Sequence, residues 1–340
     1  MYESTRAPHT IQFYYKPKEP VSLDSIVGVT EGKCFRNWLA NEDLDIMQRE
    51  WGDESNPQQG TVKFVNPNAR SDERGLLCLY DTSQVEKGIV RFVFTDFATY
   101  VAASRTSEKG FGMSPLVYNA MRVGAVGAAI YSLEGDVFVH KRPANAAHVA
   151  DKRDASTAGL IFARQAEAGK LRFIVPFQEK LRREWNLTNE ELEKLAHGAD
   201  GYSIKLTSIH SSAAPDLSGM VDAVIRLPLE TEELKRKASP AYLHEIHVVQ
   251  QQALPTYIVE HFLHPSHPSD WLIPDGLAVL ASSLPYEQFV EVVNYINSAQ
   301  AVRSDIQPSQ CHPPISFGEL QQSSFVERCI SGLEEPRIKA

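Results

Sequence analysis

Long apolar runs are missing from this sequence. The longest covers only a handful of residues, against the ~20 that an α-helix needs to cross a bilayer, so no segment is expected to span a membrane. Cysteine is scarce: four among 340 residues, at positions 34, 78, 311 and 329, with no Cys-x-x-Cys pair. That pattern is not a disulfide framework, and it points to a reducing, cytoplasmic compartment. Positive charge is outnumbered, with 34 Lys and Arg facing 43 Asp and Glu for a net charge of −9. The basic residues are scattered, no run being longer than 235–237, which argues against broad nucleic-acid binding through a basic face. Gly-x-Ser-x-Gly, Gly-Lys-Ser/Thr and a complete Gly-x-Gly-x-x-Gly are all absent. Neither a serine-hydrolase elbow nor a nucleotide-binding phosphate loop is therefore expected. Residues 1–20 lack the basic-then-apolar order of a secretory signal.

What is present has an ordinary globular balance, 43% hydrophobic and 23% charged. At roughly 150 residues per domain, the length suggests about two domains. Residues 11–15, 75–80 and 90–94 are aliphatic or aromatic runs of strand length, and 62–65 is a short strand between polar, Pro- and Gly-broken loops. Apolar residues between Trp38 and Trp51 recur at helical spacing, and 96–105 is a second short helix. Residues 1–120 thus read as a sheet-rich α+β domain. A second unit, 121–300, opens with a small-residue strand at 123–131. A turn at Glu134, Gly135 and Asp136 follows, and a return strand at 137–142 completes a hairpin. In 176–187 the residues Phe177, Leu181, Glu184 and Trp185 fall on one helical face. Thr188 with Glu191 three residues on is a capping box for another helix that ends at Gly198. Strands follow at 201–209, 220–229 and 243–250, with a short helix at 230–237. A last helix places Phe289, Val292, Val293 and Ile296 on one face and ends near Asn297. The tail, 301–340, is polar and Pro-rich.

This order of hairpin, loop, Ala158-Gly159-Leu160, helix, capped turn, strands and a late His244-Glu245-Ile246-His247 strand resembles the Nudix superfamily. In that family a hairpin strand ending in a basic residue precedes a Pro/Asp loop and a Gly turn. Lys141, Arg142, Asp154, Ala158 and Gly159 match those positions. The family's hallmark helix is matched best by residues 179–187, which keep Leu181, Leu187 and the glutamate Glu184. Lys180 and Arg183 stand where that helix carries acidic residues, and Mg²⁺ requires oxygen ligands. No cysteine lies between 78 and 311, so the isoprenoid-isomerase branch lacks its thiol.

The resemblance implies an α+β fold: a Nudix-like α/β/α sandwich with a mixed sheet, preceded by the smaller sheet-rich domain. It implies hydrolysis of a diphosphate in a nucleotide-linked or other organic pyrophosphate. Mg²⁺ or Mn²⁺ would be held by Glu184 and Glu167, with Glu184 and Glu245 as catalytic carboxylates. Arg142, Lys152, Lys180 and Arg183 would hold the phosphorylated small molecule, and a homodimer is implied as well. An alternative follows from Lys180 and Arg183: a binding or regulatory module in which these cations replace the metal, or the same fold turned to a metal-independent reaction. Five of the eleven histidines lie within 244–267. Imidazole ligates transition metals, yet His264 and His267 precede prolines, which favours extended backbone, and His244 and His247 are expected on opposite faces of a strand. Hydrogen-bonding histidines are the reading preferred for this group.

Overall fold

The structure, a computed structural model, describes residues 11–34, 45, 49, 75–97, 99–100, 122–144, 150–212 and 218–302. The expected strand 62–65, most of the helices at 38–51 and 96–105, and the tail from 303 lie outside the described residues. Thirteen strands form one mixed sheet among the described residues. They are β1 Ile11–Tyr15, β2 Val21–Ser22, β3 Val27–Cys34, β4 Gly75–Asp81, β5 Ile89–Asp96, β6 Val123–Tyr131 and β7 Val137–Lys141. After these come β8 Arg153–Asp154, β9 Thr157–Leu160, β10 Lys170–Arg172, β11 Ser203–Ser212, β12 Ser218–Arg226 and β13 His244–Val249. The path runs β1-β11-β12-β6-β4-β5-β3-β10, with β12 parallel to β6 and β3 parallel to β5. Strands from before and after residue 121 share this sheet: β1 pairs β11, β4 pairs β6 and β3 pairs β10.

The helices are α1 Ile174–Glu184, α2 Asn189–His197, α3 Thr231–Lys237, α4 Leu254–Leu263, α5 Pro274–Ser282 and α6 Tyr286–Val302. Side chains alternate across a strand, and β6 shows what each face meets. Val126, Ala128 and Ile130 join the cluster of Phe177, Leu181 and Trp185 from α1 and its end. Ala125, Ala129 and Tyr131 join the cluster of Ile258, Leu277 and Phe289 from α4, α5 and α6. The sheet therefore carries α1 and α2 on one face and α4 to α6 on the other.

α1 forms where Phe177, Leu181 and Glu184 recur at i, i+4 and i+7 and turn a single stripe inward. It stops at Trp185, followed by Asn186 in the left-handed region at φ 47, a conformation that Asn tolerates well. Thr188 accepts the Glu191 amide at 3.2 Å, and the Glu191 carboxylate returns to the Thr188 amide at 2.7 Å. α2 ends at Gly198 in the left-handed region, as its sequence predicts.

The expected hairpin is only partly formed. β6 and β7 pair at Tyr131 and Val137, and then β6 continues between β12 and β9 while β7 continues between β13 and β8. The small residues of β6 serve a different contact from the hairpin. A Cβ on Gly127 would meet Met220 Cε and Val279 Cγ2 at 2.6 Å each, so the close approach of α5 is what requires glycine there.

Candidate functional site

A cavity of about 280 Å³ opens where β6 and β12 begin and β7 ends. Its polar wall is built from His140, Arg142, Asp154, Glu184, Ser218 and Asp275, and its apolar wall includes Phe97, Tyr100, Met220 and Tyr242.

Glu184 is 5% exposed at the end of α1. Thr157, brought over it by β9, donates its hydroxyl to Oε2. Lys180, one turn earlier on the helix, donates to Oε1 at 3.1 Å, and Arg183 donates to the same oxygen at 3.0 Å. Burial works against the Glu184 charge, but Lys180, the Thr157 hydroxyl, His140 and Arg183 outweigh it and hold the carboxyl below the usual carboxylate range. Lys180 also donates to the Ala158 carbonyl at 2.9 Å. Burial pulls its ammonium below the ordinary lysine value, against the attraction of Glu184. The Arg183 guanidinium lies 4.7 Å from the centre of the Tyr242 ring.

His140 meets the Ala155 carbonyl through Nδ1 at 2.5 Å. A carbonyl only accepts, which assigns the Nδ1 proton to this bond and leaves Nε2 unprotonated in the neutral ring. Burial lowers the His140 pKa, with Asp154 and Glu184 opposing it. A neutral imidazole can therefore take up a proton at the cavity wall. Arg142 pairs with Asp154 at 3.3 Å, and Asp154 also accepts the Ala155 amide at 2.8 Å.

Behind Asp275 lies a buried network on β11 and β12. His210 Nδ1 is 2.7 Å from Asp222, and Nε2 is 3.5 Å from Asp275. Ser208 donates to Asp222, while Ser212 and Ser218 donate to Asp275 at 2.5 and 2.8 Å. Burial disfavours the imidazolium, but the two carboxylates overcome that and raise the His210 pKa to about 10. Asp275 sits in the first turn of α5 behind Pro274, where the helix N-terminus favours an anion.

Four of the residues expected at a site come together here. Arg142 and Glu184 line the cavity, and Lys180 and Arg183 bind Glu184. The other three lie elsewhere. Glu245 is largely exposed, with φ 39, and pairs with Lys141 at 3.0 Å. Lys141 follows His140 on β7, so their side chains point to opposite faces. Lys152 donates to the Pro268 carbonyl at 2.6 Å. Glu167 is exposed in the turn that bridges to Lys170.

A divalent cation would need carboxylate oxygens converging on it, and the oxygens of Glu184 already receive Thr157, Lys180 and Arg183. Among the described residues no group of three or more His, Cys, Asp and Glu is arranged to hold a metal, and the exposed Glu167 in its turn is not among the groups that contact Glu184. In the 244–267 histidine group, His261 donates to the Tyr257 carbonyl at 3.0 Å and His267 accepts the Ser269 amide at 3.2 Å. A bulge in β13 between His244 and His247 breaks the expected alternation, and both side chains are exposed. His140, Asp275, His210, Asp222 and Tyr242 had no signal in the sequence.

Among the described residues no helix is long and apolar enough to cross a membrane. No family model matches the chain, and no curated protein matches it. Among solved structures the chain is similar to DR0079 from Deinococcus radiodurans, at 16% sequence identity and a TM-score of 0.28. The match covers 40% of this chain and 72% of that one.

Proposed function

We propose that the cavity binds a phosphorylated small molecule without a divalent cation, the reading in which Lys180 and Arg183 take the place of metal in a Nudix-like site. The observation that carries it is the pair of cations on Glu184 Oε1, at 3.1 and 3.0 Å. Glu184 thus faces two cations beside the cavity, the sign that a bound metal would supply, while the other wall carboxylates, Asp154 and Asp275, are faced by Arg142 and by the buried His210. Arg142 adds a guanidinium with the fork that suits phosphate, and the Phe97, Tyr100 and Tyr242 rings offer a surface for a flat organic group.

Calorimetric titration of ADP into the chelator-treated protein tests this. ADP binds in the presence of EDTA, and Arg142→Ala weakens it by about tenfold or more, the equivalent of ~1.4 kcal/mol. Glu184→Gln does not abolish binding, since it releases two cations. Binding that requires Mg²⁺ and disappears in Glu184→Gln would overturn the reading in favour of metal-dependent pyrophosphate hydrolysis.

A second reading adds turnover of the same ligand, favoured by the neutral His140 in the cavity wall. His140 would accept a proton from water as it attacks a phosphorus atom. Release of phosphate or a nucleoside monophosphate from an organic diphosphate in EDTA, lost in His140→Gln with ADP binding retained, would support it. No release from the parent protein would leave binding alone.

A further inference from the structure

A second recess of about 210 Å³ lies against α1 and shares Leu160 with the wall of the first. Arg164, Lys180, Arg182 and Arg183 line it, and Glu179 is the one carboxylate of its lining. Glu179, Arg182 and Arg183 are spaced i, i+3 and i+4 and so share a helix face, while Arg164 comes from the separate turn Ala163–Gln165. Two elements thus bring four cations to one small volume.

Glu179 neutralises only one member of this group. It is spent on Arg164, which it holds through contacts of 2.8 and 3.0 Å, and on Gln165 at 2.8 Å. Arg164 is set further by its position 5.0 Å from the centre of the Phe162 ring. Arg182 donates at 3.1 Å to the side-chain oxygen of Asn189, a neutral acceptor. Four cations against Glu179 leave three positive charges, and counting Glu184 against Lys180 and Arg183 still leaves two. Arg182 and Arg183 also suit the negative end of α1, but that does not account for Arg164, which lies off the helix.

We propose that this recess is a binding site for a phosphate-class anion, separate from the ligand of the larger cavity. The shared chemistry is a compact, multiply charged phosphoryl group held by forked guanidiniums. Its source is either free pyrophosphate or the phosphate of a small organic monoester. The site stands on its own geometry and does not require the larger cavity to be occupied.

Calorimetric titration of inorganic pyrophosphate, and in parallel glycerol 3-phosphate, into the full chain at low ionic strength tests the proposal. Pyrophosphate binds, Arg182→Glu weakens it by about tenfold or more, and Arg182→Gln weakens it by less. Arg142→Ala, in the other cavity, leaves unchanged the component of binding that Arg182→Glu weakens. Tighter binding of glycerol 3-phosphate than pyrophosphate would assign the site to organic monoesters, and the reverse to the free anion; either supports the site. No binding of either probe at millimolar concentration would overturn it. Binding that ignores Arg182→Glu, or that Arg142→Ala abolishes, would overturn it too. Loss of ADP binding in Arg142→Ala, the mark of the larger cavity, is read separately, so one reading can fail without the other. A melting curve for Arg182→Glu that matches the parent, as expected for an exposed helix residue, assigns any loss of binding to charge.

Discussion

Lys180 reaches Glu184 by passing over Gly159. A Cβ at position 159 would stand 1.8 Å from Lys180 Nζ and Cε, so the absence of a side chain there is what lets the ammonium lie between the Ala158 carbonyl and Oε1 of Glu184. The sequence order suggests a turn at Ala158-Gly159-Leu160, but these residues lie in β9, where Gly159 pairs with Val126 and serves the ion cluster through space. Its φ is not in the left-handed region, so backbone freedom is not its role.

Gly159→Ala is expected to displace Lys180 and to cost ~1–3 kcal/mol, the range for inserting a methyl into a packed site. In a Lys180→Ala background the same change should cost less than ~0.5 kcal/mol, because the clashing side chain has gone. Urea unfolding of the four proteins in this cycle measures the coupling. Equal costs in both backgrounds would refute the steric relationship.

Thr157→Val removes the hydroxyl that Glu184 Oε2 accepts while keeping the side-chain shape. Hydrogen bonds to charged groups contribute ~1.5–3 kcal/mol, and the carboxylate is too buried for water to replace the donor readily. A fall in the urea midpoint of that size, with the slope unchanged, is the expected result.

His210 gives a pH dependence whose sign can be worked out. Its folded pKa, about 10, lies above the ordinary histidine value of 6.5, so the folded state holds the proton more tightly. The associated stability is complete below about pH 6.5 and is lost as pH rises towards about 10. The melting temperature should fall across that window, by about 2–4 °C for each kcal/mol lost. Asp222→Asn should flatten the slope, besides costing ~3–5 kcal/mol for a broken buried pair. An unchanged slope in that variant would show that His210 is not the group responsible.

Trp185 caps α1, is fully buried, and donates its indole N–H to the Ser156 carbonyl at 3.2 Å. It packs edge-on against Phe138 with ring centres 5.2 Å apart. Trp185→Ala is expected to cost ~3–5 kcal/mol and Trp185→Phe less, as read by thermal or urea unfolding. A loss below ~1 kcal/mol for the alanine variant would place Trp185 outside the stabilising core.

Much of the local structure was legible. The inward stripe of α1, the Thr188 and Glu191 capping box, the Gly198 stop and the strands near 11–15, 75–80 and 90–94 all depend on short-range spacing. α4 and α5 were not legible, and for α5 the reason is plain: all nine residues of 274–282 are buried, so the helix has no polar face to create a 3.6-residue period. The bulge in β13 was hidden too, because the left-handed backbone at Glu245 is not a residue-type signal.

Sequence alone determined that Lys180, Arg183 and Glu184 lie within one turn, since i, i+3 and i+4 positions are neighbours on any α-helix. Only the tertiary structure decided what surrounds them: Thr157 brought in by β9, Gly159 opened for Lys180, His140 facing the cavity from β7, and Asp275 tied to His210 and Asp222. Each of those contacts joins residues far apart in the chain, and pairings of that kind are set by sheet order and helix packing rather than by spacing along the sequence.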